Sequence, residues 1–357
     1  HTPKMMVQLL PLLMNPQAKL VFTISLLLGT TITISSHHWV MAWIGLEINT
    51  LAILPLISKS HHPRAIEAAT KYFLTQAFAS ALVLFSSMTN AWHTGQWDIT
   101  QLSHPIPCLI LTSALAMKLG LAPFHFWFPE VLQGSPLTTG LLLSTMMKFP
   151  PITLLFMTSP SLNPTLLTCM AILSTALGGW MGLNQTQIRK ILAFSSISHL
   201  GWMAIILPYS PKLALLNFYI YVLITATVFL TVNSIEAPKL SVLMTTWTKT
   251  PSLSAMLLLT LLSLAGLPPL TGFLPKWLII QELTKQDMAP AAITISLLSL
   301  LGLFFYLRLA YCATITLPPH TTNHMKQWHT NKPINISIAI LTITSTMLLP
   351  ISPMIYT

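Results

Sequence analysis

The sequence predicts an all-α fold, a polytopic bundle of about eleven membrane-spanning helices. Three observations predict it. Only 7% of the residues are charged, against about 25% in a soluble domain, too few to solvate a water-facing surface. Hydrophobic residues make up 53% of the chain and the mean hydropathy is +0.71. Apolar runs of about 20 residues, each long enough to cross a bilayer, follow one another almost without pause. A soluble enzyme, a nucleic-acid binder, a disordered tail and a disulfide scaffold are all poor readings of such a chain.

The first two spans lie near 18–36 and 38–58, and Ser60-His61-His62-Pro63 separates the second from a third near 67–89. Thr94-Gly95-Gln96-Trp97-Asp98 precedes a fourth near 105–128, and Gly134-Ser135-Pro136 precedes a fifth near 136–158. These breaks are turn chemistry. After Asn163-Pro164 come spans near 163–183, 188–208, 212–234, 252–283, 290–315 and 334–354. Only 235–251 and 316–333 are long connections. Backbone groups in lipid need internal partners, and the strict alternation of barrel strands is missing, so the spans are helices. Residues 14–357 read as a single membrane domain. Residues 1–13 read as an extension before the native start, since Met14-Asn15-Pro16 resembles a natural beginning and no small-residue cleavage site follows.

The net charge of +10 comes from 17 Lys and Arg against 7 Asp and Glu. The basic residues are spread singly, with no stripe for phosphates to follow, so nucleic acid is not an expected partner and membrane lipid is. With eleven spans, the face bearing the N-terminus collects Lys4, Lys19, Lys59, Arg64, Arg189, Lys190, Lys239, Lys249, Lys326 and Lys332; the other has Lys212 and Lys285. Positive charge marks the cytosol-equivalent side, which places the N-terminus there. Cys108, Cys169 and Cys312 are far apart in apolar segments and read as small buried hydrophobes.

Lys118-Leu-Gly-Leu-Ala-Pro-Phe-His-Phe-Trp-Phe-Pro-Glu130 is echoed 146 residues later by Leu264-Ala-Gly-Leu-Pro-Pro-Leu-Thr-Gly-Phe-Leu-Pro-Lys276. Gly120, Leu121, Pro123 and Pro129 coincide with Gly266, Leu267, Pro269 and Pro275. The copies fall in the fourth and ninth spans, in opposite orientations. Paired Gly/Pro-interrupted helices in inverted repeats mark secondary transporters, where a break exposes backbone dipoles to an ion path.

Span-end charges such as Lys19, Lys71, Arg189, Lys190, Lys212 and Arg308 are expected to snorkel. Glu47, Lys118 and Lys148 instead lie about nine to thirteen residues inside their spans, near mid-bilayer, and Lys276 directly follows the second break. Four such groups would cost on the order of 10 kcal/mol if they only packed. One reading is a fixed ion pair, Glu47 with Lys118. The other is a proton relay in which desolvation favours the neutral amine and a carboxylate restores the charged one. His125, two turns beyond Lys118, and His199, within Ser195-Ser-Ile-Ser-His199, complete such a relay or serve as helix–helix hydrogen bonders. The pairs His37-His38 and His61-His62 sit at span ends and read as interfacial. No nucleotide-binding fingerprint, cysteine set for an iron–sulfur cluster, or mid-depth histidine pairs for haem occur.

Trp43-Ile-Gly-Leu-Glu47-Ile-Asn-Thr, Met117 to Glu130, Asn184-Gln-Thr-Gln-Ile-Arg189-Lys190 and Leu264 to Trp277 together resemble one family. It is the chain 2 family of NADH–ubiquinone oxidoreductase, mitochondrially encoded antiporter-like subunits of respiratory complex I, in its vertebrate, avian form. The likeness covers 14–357. It implies an inverted repeat of two five-helix units with two broken helices, without the three N-terminal helices of bacterial relatives. It also implies an inner mitochondrial membrane location with the N-terminus in the matrix, and other complex I subunits, sister antiporter-like chains among them, as partners. By resemblance, Glu47 is the charged glutamate, Lys118 and Lys276 the broken-helix lysines and Lys148 the connecting lysine. No cofactor is expected in this chain; NADH, FMN, iron–sulfur clusters and ubiquinone belong to other subunits. The implied role is coupling of their electron transfer to proton translocation. A stand-alone cation/proton antiporter and a structural spacer are the alternatives.

Overall fold

In the computed structural model, residues 16–245, 250–314 and 336–352 are described. The extension expected over 1–13 and the loop at 316–333 lie outside the described residues. Among the described residues all eleven expected spans contain helix. Seven helical segments are long and apolar enough to cross a membrane, and Pro105–Leu119, Pro251–Ala265 and Ile336–Met347 are shorter apolar helices. The chain divides into two compact units, His1–Leu167 and Thr168–Thr357.

The first unit contains α1 (Pro16–Ser35), α2 (Trp39–Ile57), α3 (Pro63–Thr94), α4 (Pro105–Leu119), α5 (Trp127–Gly134), α6 (Leu137–Ser144) and α7 (Phe149–Met157). The paired histidines stand at helix ends, as expected. His38 Nδ1 accepts from Val40 N–H and His62 Nδ1 from Arg64 N–H, both at 3.2 Å. Each thereby satisfies a donor that the first turn of α2 or α3 leaves without a helical partner. At 32 residues α3 is about 48 Å long, more than a bilayer core requires. Lys71, expected to snorkel, is paired instead: its Nζ lies 2.5 Å from both Glu67 Oε1 and Glu130 Oε2, tying α3 to α5.

The fifth span is interrupted, which the sequence reading did not anticipate. Thr145 takes φ −115° and ψ −77°, and a 3₁₀ turn over Met146–Lys148 leads into α7. Pro150 and Pro151 explain this, because neither donates a backbone N–H and each ring crowds the carbonyl four residues back. Lys148 is therefore held at a helix junction.

The second unit holds most of α8 (Pro164–Gly182), then α9 (Ile188–Ile206), α10 (Pro211–Ile235), the short α11 (Leu240–Leu243), α12 (Pro251–Ala265), α13 (Phe273–Lys285), α14 (Ala289–Thr314) and α15 (Ile336–Met347). Arg308 on α14 does not snorkel. It donates to Leu183 O and, at 2.7 Å, to Gln185 O, carbonyls just past the end of α8. Arg308→Leu leaves both without that donor and is expected to cost about 1–3 kcal/mol. The check is the melting temperature in detergent; an unchanged value would show that water replaces the guanidinium. The cysteines carry no disulfide: Cys108 is buried as expected, Cys312 is half-buried, and Cys169 is exposed, correcting its expected burial.

Candidate functional site

The repeat seen in the sequence is a repeat of backbone geometry. Gly120 takes φ +80° and Gly266 φ +79°, left-handed conformations that a residue with a Cβ rarely adopts. Each ends its half-helix in the same turn. Leu121 N–H donates to Ala116 O and Leu267 N–H to Leu262 O, the six-to-one bond of a Schellman cap. Within the breaks, Phe124 bonds back to Leu121 and Phe128 to His125; Leu270 bonds to Leu267 and Leu274 to Thr271. These pairs coincide at the offset of 146 residues found in the sequence.

The charged groups do not repeat. Lys118 precedes its break, where the second copy has Leu264; Lys276 follows its break, where the first copy has Glu130. Both second half-helices nevertheless send a donor back to the carbonyl end of the first. Trp127 Nε1–H donates to Met117 O at 3.1 Å, and Lys276 Nζ donates to Ala265 O at 2.9 Å. A cation suits that negative helix end. Lys276 Nζ also lies 5.8 Å from the centroid of the Trp202 ring.

In the first unit Lys118 and Lys148 line one water-sized cavity of about 20 Å³, room for a water molecule and little more. Lys148 Nζ stands 4.8 Å over the Phe128 ring. Leu46, Asn49 and Thr50 of α2 and Tyr72 and Gln76 of α3 complete much of the wall. In the second unit Lys276 and His199 line a cavity of similar size with Ser198, Ser299 and Tyr306. Tyr306 Oη and His199 Nε2 are 3.5 Å apart. No carboxylate lines either cavity.

Two expected residues stand apart from these cavities. The close Glu47–Lys118 ion pair is not formed: among the described residues neither Glu47 Oε2 nor Lys118 Nζ has a hydrogen-bond partner, and no ion pair joins them. The reason is helical phase. One residue is a 100° step, so the face that turns Leu46, Asn49 and Thr50 into the cavity turns Glu47 aside. His125 is fully buried in the first break, 4.2 Å from Phe126 between ring centroids, but does not line the Lys118–Lys148 cavity. Asn49, Gln76 and Tyr306 were missed. An asparagine two residues from a mid-span glutamate was the available signal for Asn49, since an amide in lipid also needs a partner.

Comparison with known proteins matches residues 36–302 to the family described as NADH:quinone oxidoreductase/Mrp antiporter, TM, and residues 303–356 to NADH dehydrogenase subunit 2 C-terminus. Relatives named NADH-ubiquinone oxidoreductase chain 2 are 75% identical in Anas acuta over 343 residues and 71% identical in Gallus gallus over 344 residues. Each alignment covers 96% of this chain and 99% of the relative. The chain belongs to the NADH-ubiquinone oxidoreductase chain 2 family. A chain of respiratory complex I from Thermus thermophilus matches with TM-score 0.79 and 27% identity, over 93% of this chain and 79% of that one. A chain of the Mrp complex from a Dietzia species shares the fold, with TM-score 0.78 and 18% identity over 84% of this chain and 61% of its own. In this chain 2 family member the antiporter-type match contains every candidate proton-transfer residue from Glu47 to Lys276. The chain 2-type C-terminal match supplies Tyr306 and Arg308.

Proposed function

We propose that this chain 2 family member moves protons within respiratory complex I by way of Lys118, Lys148 and Lys276, with His125 and His199 as further proton-holding groups and Glu47 setting the local field. The chain is a core membrane subunit of NADH:ubiquinone oxidoreductase. NADH, FMN, iron–sulfur clusters and ubiquinone are handled by other subunits, which are its partners together with sister antiporter-like chains. Residues 14–357 act as one membrane domain in the inner mitochondrial membrane, with the N-terminus in the matrix.

One observation carries this reading: the buried Lys118 and Lys148 and the half-buried Lys276 line water-sized cavities with hydroxyl and amide groups, and no carboxylate lines them. An amine kept from bulk water gains or loses a proton when a nearby charge changes, and that change alters its neighbour in turn. A metal cation in a membrane site wants carboxylate oxygens that balance its charge, and none lines these cavities, so the stand-alone cation/proton antiporter is the weaker alternative.

Lys148→Ala in the assembled complex is the test, with protons moved per NADH oxidised as the readout. Proton transfer through this chain is expected to slow by about 10²-fold or more, seen as fewer protons moved per NADH. Normal output with normal assembly would leave the chain a structural spacer.

A further inference from the structure

We infer that Asn49 positions the water through which Lys118 and Lys148 exchange a proton, an assignment that rests on the proton-moving reading above. Asn49 lies mid-way along α2, is 1% exposed, and lines the cavity that both lysines share. Neither its Oδ1 nor its Nδ2 has a hydrogen-bond partner among the described residues. A buried amide in an apolar setting is costly unless something bonds it, and the cavity beside it has room for one water.

Two of the neighbouring polar side chains are already engaged, and the Tyr72 hydroxyl shares the wall with Asn49. Thr50 Oγ1 donates to Glu47 O at 2.8 Å, and Gln76 Nε2 reaches Lys118 O at 3.5 Å. The Asn49 amide, with both polar atoms unbonded, is the group on this wall that can both accept from and donate to a water between the amines without titrating. Its chemistry suits the task, because Oδ1 accepts from a water and Nδ2 donates to one. It does not titrate, so it orients the carrier and never holds the proton.

The neighbouring helix leaves room for this amide. A Cβ added at Gly29 of α1 would stand 2.4 Å from Asn49 Oδ1, 2.8 Å from its Cγ and 2.9 Å from Gly45 O. Glycine there serves both the close approach of the two backbones and the space that the side chain needs.

Asn49→Thr and Asn49→Val test the idea as a pair, since they share a shape and differ by one hydroxyl. Both are made in the assembled complex, reconstituted in vesicles beside Lys148→Ala, with protons moved per NADH and the solvent deuterium isotope effect as readouts. Asn49→Val is expected to slow proton transfer through this chain about tenfold, seen as fewer protons per NADH, and to enlarge the isotope effect, while Asn49→Thr retains most of the transfer. Equal output from the two variants overturns the assignment, whether both pump or both fail. Normal pumping by Lys148→Ala overturns instead the reading on which it rests. A defect in Lys148→Ala with none in Asn49→Val sinks Asn49 alone.

Discussion

Lys118→Met is expected to make the chain more stable and less able to move protons. Lys118 is 6% exposed and its Nζ has no hydrogen-bond partner among the described residues. An unpaired amine at mid-span costs about 2.5–3.5 kcal/mol on insertion scales, whereas methionine has similar length and no charge to desolvate. Stability should rise by about 1–3 kcal/mol, as when buried charges give way to hydrophobes of like volume. Proton transfer through this chain should slow by about 10²-fold or more, because the proton-holding group is gone. Thermal unfolding and proton counting on the same preparation read both effects. A lower melting temperature with normal pumping would show that the amine is a structural tie. Sites of action commonly trade stability for function in this way.

Gly272→Ala is expected to prevent the second unit from forming its broken helix. A Cβ there would come 1.7 Å from Ser263 O and 2.8 Å from Ser263 C, and both partners are backbone. No rotamer change relieves such a clash, so α13 must move away from α12. That movement breaks the bond from Lys276 to Ala265 O. The loss should exceed about 4 kcal/mol, the range reached by gross overpacking, and leave little assembled complex on a native gel. Gly95→Ala is the contrast. Its φ of +72° strains an alanine, but nothing lies within 4 Å, so about 1–2 kcal/mol is expected and assembly should persist. Normal assembly of Gly272→Ala would mean that the half-helices are looser than their contact implies.

Much of the fold was legible because lipid imposes a simple rule on sequence. Twenty apolar residues between turn signals make a helix whatever surrounds them, so each expected span contains one. The two broken helices were legible for a local reason, since Gly120 and Gly266 need positive φ and the prolines beyond them lack donors. The interruption before Lys148 had a signal of the same kind, Pro150-Pro151, which stayed hidden inside an apolar run.

The candidate site was legible in part. Lys118, Lys148 and Lys276 stood out by their cost in lipid, and each lines a water-sized cavity. Their partners did not stand out. The reading joined Glu47 to Lys118 by charge, yet one helical step turns the carboxylate aside and brings Asn49 forward. Likewise Lys71 and Arg308 looked like ordinary span-end cations until α5 and the end of α8 supplied their acceptors.

Composition and local backbone chemistry, both properties of short stretches of chain, determined the membrane setting, the helices and the two breaks. Which polar groups meet in a cavity depends on residues tens to more than 100 positions apart, on helical phase and on where a missing Cβ lets two helices close. Tertiary packing alone set Asn49 beside both lysines and Tyr306 beside His199, because a side chain's neighbours across a helix interface are written nowhere in its own segment.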